Sequence, residues 1–180
     1  MEYKTIRLRR GKDESLRRFH PWVFSGAIDS IDSGAEEGDT VRVVDADGNP
    51  LGIGHYQIGS IAVRMLTAGQ EGIGEGFYSR RLEQAWQMRR AIGVVREGTD
   101  AFRLVHGEGD FLPGLIVDVY GPTAVMQAHS PGMHFARNEI ARALVDLPGA
   151  GISNVYYKSE TTLPYNCLLY TSDAADDGES

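Results

Sequence analysis

Apolar and polar residues alternate with period two in short runs over the first third of the chain. Lys4 to Arg9 places Ile6 and Leu8 on one side and Thr5, Arg7 and Arg9 on the other, as a half-buried strand does. Gly11 breaks the run. Asp13-Glu14-Ser15-Leu16-Arg17-Arg18 has acids first and bases last, which suits one or two helical turns. Pro21 stops them. Trp22 and Phe24 share one side of the next strand, which Ser25-Gly26 ends. Thr40 to Asp45 is a strand with Val41 and Val43 inward. The Asp-Gly signal in Asp45-Ala46-Asp47-Gly48-Asn49 predicts a hairpin back through Leu51 to Tyr56. Gly52 and Gly54 leave room for a close backbone approach or a bulge. Ile61 to Leu66 adds another strand. Five short strands this close together predict a small β-barrel.

The period then changes. Gly69 to Gly76 reads as a flexible junction, and Phe77 to Ile92 as a helix with Leu82, Ala85, Trp86 and Ile92 on its apolar stripe and Gly93 as its stop. Arg103 to His106 and Leu115 to Tyr120 form a hairpin. Leu115, Val117 and Val119 face a core, and Gly107, Gly109, Asp110, Pro113 and Gly114 make a long turn. Ala124 to His129 is a strand and Ser130-Pro131-Gly132 a turn. His134 to Leu147 is a second helix, with Phe135 or Ala136, Ile140, Ala143, Leu144 and Leu147 at helical spacing. Pro148-Gly149 ends it, and Ile152 to Tyr157 is the last strand. This order predicts an α+β unit separate from the barrel.

Composition adds limits. Hydrophobic residues make up 42% and charged residues 24%, ordinary for a globular chain. No run approaches the roughly 20 apolar residues of a membrane span, so no membrane partner is expected. The start lacks a secretory h-region, and the single Cys167 allows no internal disulfide, so a reducing, cytoplasmic setting is expected.

The net charge of −7 hides an uneven distribution. Arg7, Arg9, Arg10, Lys12, Arg17, Arg18 and His20 cluster near the start. Arg9, Arg10, Lys12, Arg17 and Arg18 beside His20 and Trp22 combine charge for phosphates with rings for base stacking. The competing reading is a solvated basic face with Trp22 in the core. Glu108 and Asp110 are likewise either caps on turn amides or a carboxylate pair. Glu71-Gly72-Ile73-Gly74-Glu75-Gly76 imitates a nucleotide loop, but the strand before it ends too early and no parallel β-α-β unit follows, so it reads as a linker. His20, His55, His106, His129 and His134 lack partners at ligand spacing, and no metal is expected.

Three stretches carry a family likeness. Ser15-Leu16-Arg17-Arg18-Phe19-His20-Pro21-Trp22-Val23-Phe24-Ser25-Gly26-Ala27-Ile28 resembles the start of bacterial S-adenosylmethionine-dependent large-subunit ribosomal RNA cytosine-C5 methyltransferases. Phe77-Tyr78-Ser79-Arg80-Arg81-Leu82, and Arg103-Leu104-Val105 through Asp110-Phe111-Leu112-Pro113-Gly114-Leu115-Ile116-Val117-Asp118, continue it in order. The resemblance implies an N-terminal PUA domain, a central strand-strand-helix-strand-strand (EEHEE-type) domain, and a C-terminal Rossmann-like methyltransferase domain. The third is not expected in this chain. In that family the cofactor loop and the nucleophilic Cys belong to it, so no catalytic, cofactor-binding or metal residue is assigned here. Glu108 and Asp110 are then structural, or part of an RNA-facing surface.

Periodicity stops near Asn166. Cys167 to Asp176 reads as the translation of a sequencing-library transposase adapter, TGT CTC TTA TAC ACA TCT GAC GCT GCC GAC. Residues 167–180 hold four acids and no Lys or Arg, and without them the net charge is −3. The expected organisation is a PUA-like RNA-binding barrel over 1–68, a linker over 69–76, a central α+β domain over 77–166 and a non-native tail over 167–180. The expected function is the RNA-recognition part of a 23S rRNA cytosine-C5 methyltransferase, truncated before its catalytic domain and inactive alone. S-adenosylmethionine would serve the full-length parent and no cofactor this fragment. Ribosomal RNA is the expected partner, and a homodimer stays open. The alternative is a free-standing PUA-type RNA-binding or adaptor module.

Overall fold

The computed structural model describes residues 3–163. The tail predicted over 167–180, with Cys167, and the end of the predicted central domain lie outside them.

The first unit is a curled six-stranded sheet, a PUA-like half-barrel. It contains β1 (Lys4–Leu8), β2 (Trp22–Phe24), β3 (Ile28–Ile31), β4 (Thr40–Val44), β5 (Pro50–Tyr56) and β6 (Ile61–Met65), in the order β2-β6-β5-β4-β1-β3. A short helix, α1 (Glu14–Arg17), joins β1 to β2. Alternation does what the sequence predicts: Ile6, Leu8, Val23, Val41, Val43 and Val63 turn inward with Leu16 of α1 and Leu51. The Asp-Gly turn closes β4 on β5, with Asp45 N–H donating to the Asn49 carbonyl at 2.9 Å. Gly52 and Gly54 lie where β5 meets β6 and the segment beyond it. A Cβ there would stand 2.3 Å from the Thr67 carbonyl oxygen and 2.4 Å from that of Arg64. Strand β3 is the element the sequence reading missed. Ile28-Asp29-Ser30-Ile31 shows no alternation and is mostly exposed. Backbone pairing to the free edge of β1, not burial, makes it a strand.

The second unit has its own core. Helix α2 (Phe77–Ala91) leads into β7 (Ala101–His106), β8 (Leu115–Tyr120) and β9 (Thr123–Ala128), then α3 (Pro131–Phe135), α4 (Arg137–Val145) and β10 (Asn154–Tyr157). The sheet runs β10-β9-β8-β7, antiparallel except that β10 lies parallel to β9. Phe77, Leu82, Ala85 and Trp86 of α2 and Ile140 and Leu144 of α4 pack with Leu115, Val117 and Val119.

Three expectations are corrected. Ile92 does not join the apolar stripe: α2 ends at Ala91, Gly93 turns at φ 75°, and Ile92 is 63% exposed. Ser130-Pro131-Gly132 is not a turn but the start of a helix. Ser130 Oγ accepts Met133 N–H at 3.4 Å, and Pro131 sits where a missing N–H costs nothing. The single helix predicted over 134–147 is two, broken at Ala136 (ψ −1°). The break leaves Phe135 off the core stripe, against the barrel at Gly38.

The two units are fastened by side chains. Tyr3 Oη donates to the Ile73 carbonyl at 3.0 Å, within the predicted flexible junction. A Cβ on Gly38 would stand 2.2 Å from the Phe135 ring, and one on Gly132 would stand 2.1 Å from Cγ of His55. His55 is buried, 3.4 Å from Tyr78 Oη through its Nε2.

Candidate nucleic-acid interface

The basic start forms one exposed face, and acids compensate much of it. β1 delivers Arg9 and Arg10 to a turn at Gly11 (φ 76°), after which Lys12 and α1 follow. Arg10 pairs with Asp47 through two bonds, of 2.7 and 3.3 Å. Arg17 bonds Asp13 at 2.5 Å and Asp45 at 2.8 Å, and Arg18 bonds Glu14 at 2.5 Å. Arg7 donates to the Ala46 carbonyl at 3.1 Å. Arg7, Arg10 and Arg17 therefore converge on the β4–β5 turn. Asp45 is preorganised there: Oδ1 accepts the N–H groups of Asp47 and Asn49, and the Asn49 side chain bonds both oxygens. These bonds, led by the Asn49 side chain, hold its carboxyl below the usual range, with a smaller contribution from the Arg17 charge. Among the described residues the side chains of Arg9 and Lys12 make no ion pair, and both are exposed. Exposed pairs such as Arg10–Asp47 and Arg18–Glu14 are worth about 0–1 kcal/mol each. A phosphate can therefore take over their arginines at little cost.

His20 and Trp22 do come together. Their rings meet edge to face at 5.8 Å, and Phe24 joins at 6.3 Å from Trp22 and 6.0 Å from His20. Positions 20, 22 and 24 lie on one side of an extended segment, so the period that placed Trp22 with Phe24 could have added Phe24 to the site. The strand they occupy, β2, is at the end of the sheet. The indole N–H of Trp22 is engaged: it donates to Glu108 Oε1 at 2.8 Å, across to the second unit. Nothing local in the sequence announced that contact.

The turn acids separate in role. Asp110 is buried, meets Arg89 through two bonds of 2.6 Å and accepts the His106 N–H at 2.6 Å. It holds the turn together. The Glu108 side chain is half-buried and, among the described residues, accepts a hydrogen bond from Trp22 only and makes no ion pair. It lines a cleft between the units.

The glycine run at 71–76 leads into α2 from β6, whose neighbours β2 and β5 are both antiparallel to it. The next strand, β7, lies in the other sheet. The parallel β-α-β frame that places a nucleotide at a helix start is not built around this run. Among the described residues no cluster of three His, Cys, Asp or Glu could hold a metal. None of their helices is long and apolar enough to cross a membrane.

Comparison with known proteins agrees with this architecture. Residues 6–68 match the family model of a PUA-like domain. The chain is 40% identical over 142 residues to ribosomal RNA large subunit methyltransferase I of Klebsiella pneumoniae subsp. pneumoniae, covering 78% of this chain and 35% of the relative. The protein of the same name from Citrobacter koseri is 40% identical over 139 residues, covering 76% and 35%. The chain thus spans about a third of the length of the curated relatives it matches. A structure from Streptococcus mutans described as a SAM-dependent methyltransferase superposes with a TM-score of 0.71 at 14% identity, covering 86% of this chain and 40% of that one. At that identity the likeness speaks for the fold.

Proposed function

Taking as premise a PUA-like domain and homology to large-subunit ribosomal RNA methyltransferases, we propose that this chain is the RNA-recognition part of a 23S rRNA cytosine-C5 methyltransferase. The observation that carries the reading is the exposed cationic face of residues 9–18 next to the His20, Trp22 and Phe24 ring cluster. Arg9 and Lys12 take phosphates directly. Arg10, Arg17 and Arg18 exchange carboxylates for phosphates. The rings offer stacking faces to unpaired bases. The second unit is fixed to the barrel and sets the distance from this face to the catalytic domain.

In this reading the chemistry resides in a Rossmann-like domain outside these 180 residues. S-adenosylmethionine would supply the methyl group there. The residues described here bind and orient rRNA, in the cytoplasm, and this chain alone is inactive.

The test is the salt dependence of binding to a large-subunit rRNA fragment. Affinity is expected to fall steeply with salt, and the double variant Arg9→Ala/Lys12→Ala to lower the slope of log K against log salt by about two units. These two positions are chosen because removing Arg17 would also strip Asp13 and Asp45 of their partner. No RNA binding at low salt would refute the proposal.

A further inference from the structure

The cleft between the units holds about 300 Å³, the small end of the usual range for ligand sites, roughly 300–1,000 Å³. Its lining includes Leu51 and Met65 of the barrel, Phe19 after α1, and Arg81, Glu108 and Phe111 of the second unit. Three observations there bear on what it could hold.

First, Phe19 and Phe111 are the two non-glycine residues with positive φ among those described, at 63° and 57°. Each ends a helical turn in the left-handed cap position that glycine usually fills, with His20 N–H reaching the Ser15 carbonyl and Leu112 N–H the Gly107 carbonyl, and both line this one cleft, one from each unit. A bulky side chain in the left-handed region is strained. Second, neither ring recovers that cost by burial: Phe19 is 82% exposed and Phe111 66%. Phe111 does lie 5.7 Å from the Arg81 guanidinium, which also stands 5.2 Å from Phe77. Third, Glu108 is a half-buried carboxylate that makes no ion pair among the described residues, with the Arg64 and His129 side chains in electrostatic reach. Trp22 fixes its Oε1, and Oε2 accepts no hydrogen bond from the described residues. A carboxylate oxygen has two lone pairs, so Oε1 has capacity left as well.

Two exposed flat rings, an apolar floor and a fixed acceptor-only group describe a site for a flat ligand with adjacent N–H donors. Among RNA bases, guanine presents two such donors side by side, N1–H and the N2 amino group. Adenine presents an acceptor at N1, and uracil a single N–H between two carbonyls. A carboxylate facing a polyanion, even one within reach of Arg64 and His129, is unfavourable unless it reads donors.

Resting on the RNA-binding reading above, we propose that this cleft takes one unstacked guanine base of single-stranded RNA. Phe19 and Phe111 contact its faces, and Glu108 accepts from N1–H and N2–H. Glu108 is then a specificity-determining residue, and Trp22 positions it.

The experiment is fluorescence anisotropy of the intact chain with three short uridine-rich oligonucleotides, identical but for one central guanine, inosine or adenine. Guanine is expected to bind about 10- to 100-fold more tightly than adenine, the range for a good bidentate contact. Inosine, which lacks the N2 amino group, should fall between. Glu108→Gln is expected to bring the guanine oligonucleotide to the affinity of the adenine one. Phe19→Gly and Phe111→Gly each relieve the strained backbone, so they should weaken guanine binding several-fold while the thermal midpoint holds or rises. Binding of all three oligonucleotides with equal affinity overturns this inference and leaves the proposed function standing. A guanine preference that survives Glu108→Gln overturns it as well. Binding of none at low salt overturns the proposed function and this inference with it.

Discussion

At the level of single residues, the described glycine with least room for a side chain lies under a ring. His55 of β5 lies over Gly132 of α3, where a Cβ would stand 2.1 Å from Cγ of the imidazole. His55 is buried and cannot swing away without losing its Tyr78 neighbour. Gly132→Ala should therefore cost about 1–3 kcal/mol, the usual penalty for overpacking a core. Urea unfolding of the variant measures this, and an unchanged midpoint would contradict the contact. Contacts of this kind left little trace in the sequence. Gly132 read as part of a turn, because a Ser-Pro-Gly string looks the same whether it bends the chain or caps a helix. Trp22 was singled out for its ring, yet its partner Glu108 is 86 positions away, and pairing across units has no local signature. The cationic residues were legible as a cluster. Their acids were visible too, at Asp13, Glu14, Asp45 and Asp47, but only folding the β4–β5 turn beside α1 sets them against one another.

Among elements, the turn between β7 and β8 shows how one buried charge organises a segment. Asp110 takes two bonds from Arg89 of α2 and one from the His106 backbone, so helix and hairpin share one anchor. Both side chains are largely out of solvent, at 13% and 6% exposure. Breaking such a pair leaves an uncompensated buried cation. Asp110→Asn is expected to lose about 3–5 kcal/mol. Amide exchange at residues 107–114 should accelerate first, and hydrogen exchange followed by NMR would show whether the loss starts there. The strands on either side were readable because alternation reports burial: Leu115, Val117 and Val119 face a core in both sequence and structure. Strand β3 was not, since an edge strand held by backbone bonds needs no apolar face. The helix break at Ala136 was hidden for the opposite reason. Apolar residues continue through it, but Phe135 serves a different neighbour from Ile140 and Leu144.

Over the whole molecule, the joint between the units sets the response to acid. Burial, and to a smaller extent the Arg64 charge, push His55 down from 6.5 to about 4. The unfolded chain takes up that proton near pH 6.5 while the folded one refuses it, so acid favours unfolding. The stabilising difference is complete above about pH 6.5 and is lost as pH falls towards 4, by ~3 kcal/mol for this group. His134, lowered by burial and by Arg137, acts in the same direction. Thermal midpoints recorded from pH 7.5 to 4.5 should fall, and His55→Gln should flatten the curve. A midpoint level across that range would show that the joint admits the charged imidazole. Two units, one mainly β and one α+β, were legible from the change of period near residue 70. That they would grip each other was not, because the grip comes from a few large side chains entering places where glycine leaves space.

That grip works like a pair of interlocked teeth. Phe135 occupies a notch at Gly38, and His55 a notch at Gly132, each unit giving one tooth and one notch. Sliding or prising the halves apart must withdraw both teeth together. The jaw whose lips are Phe19 and Phe111 is therefore preset in width, and whatever enters it must match a gauge cut in advance.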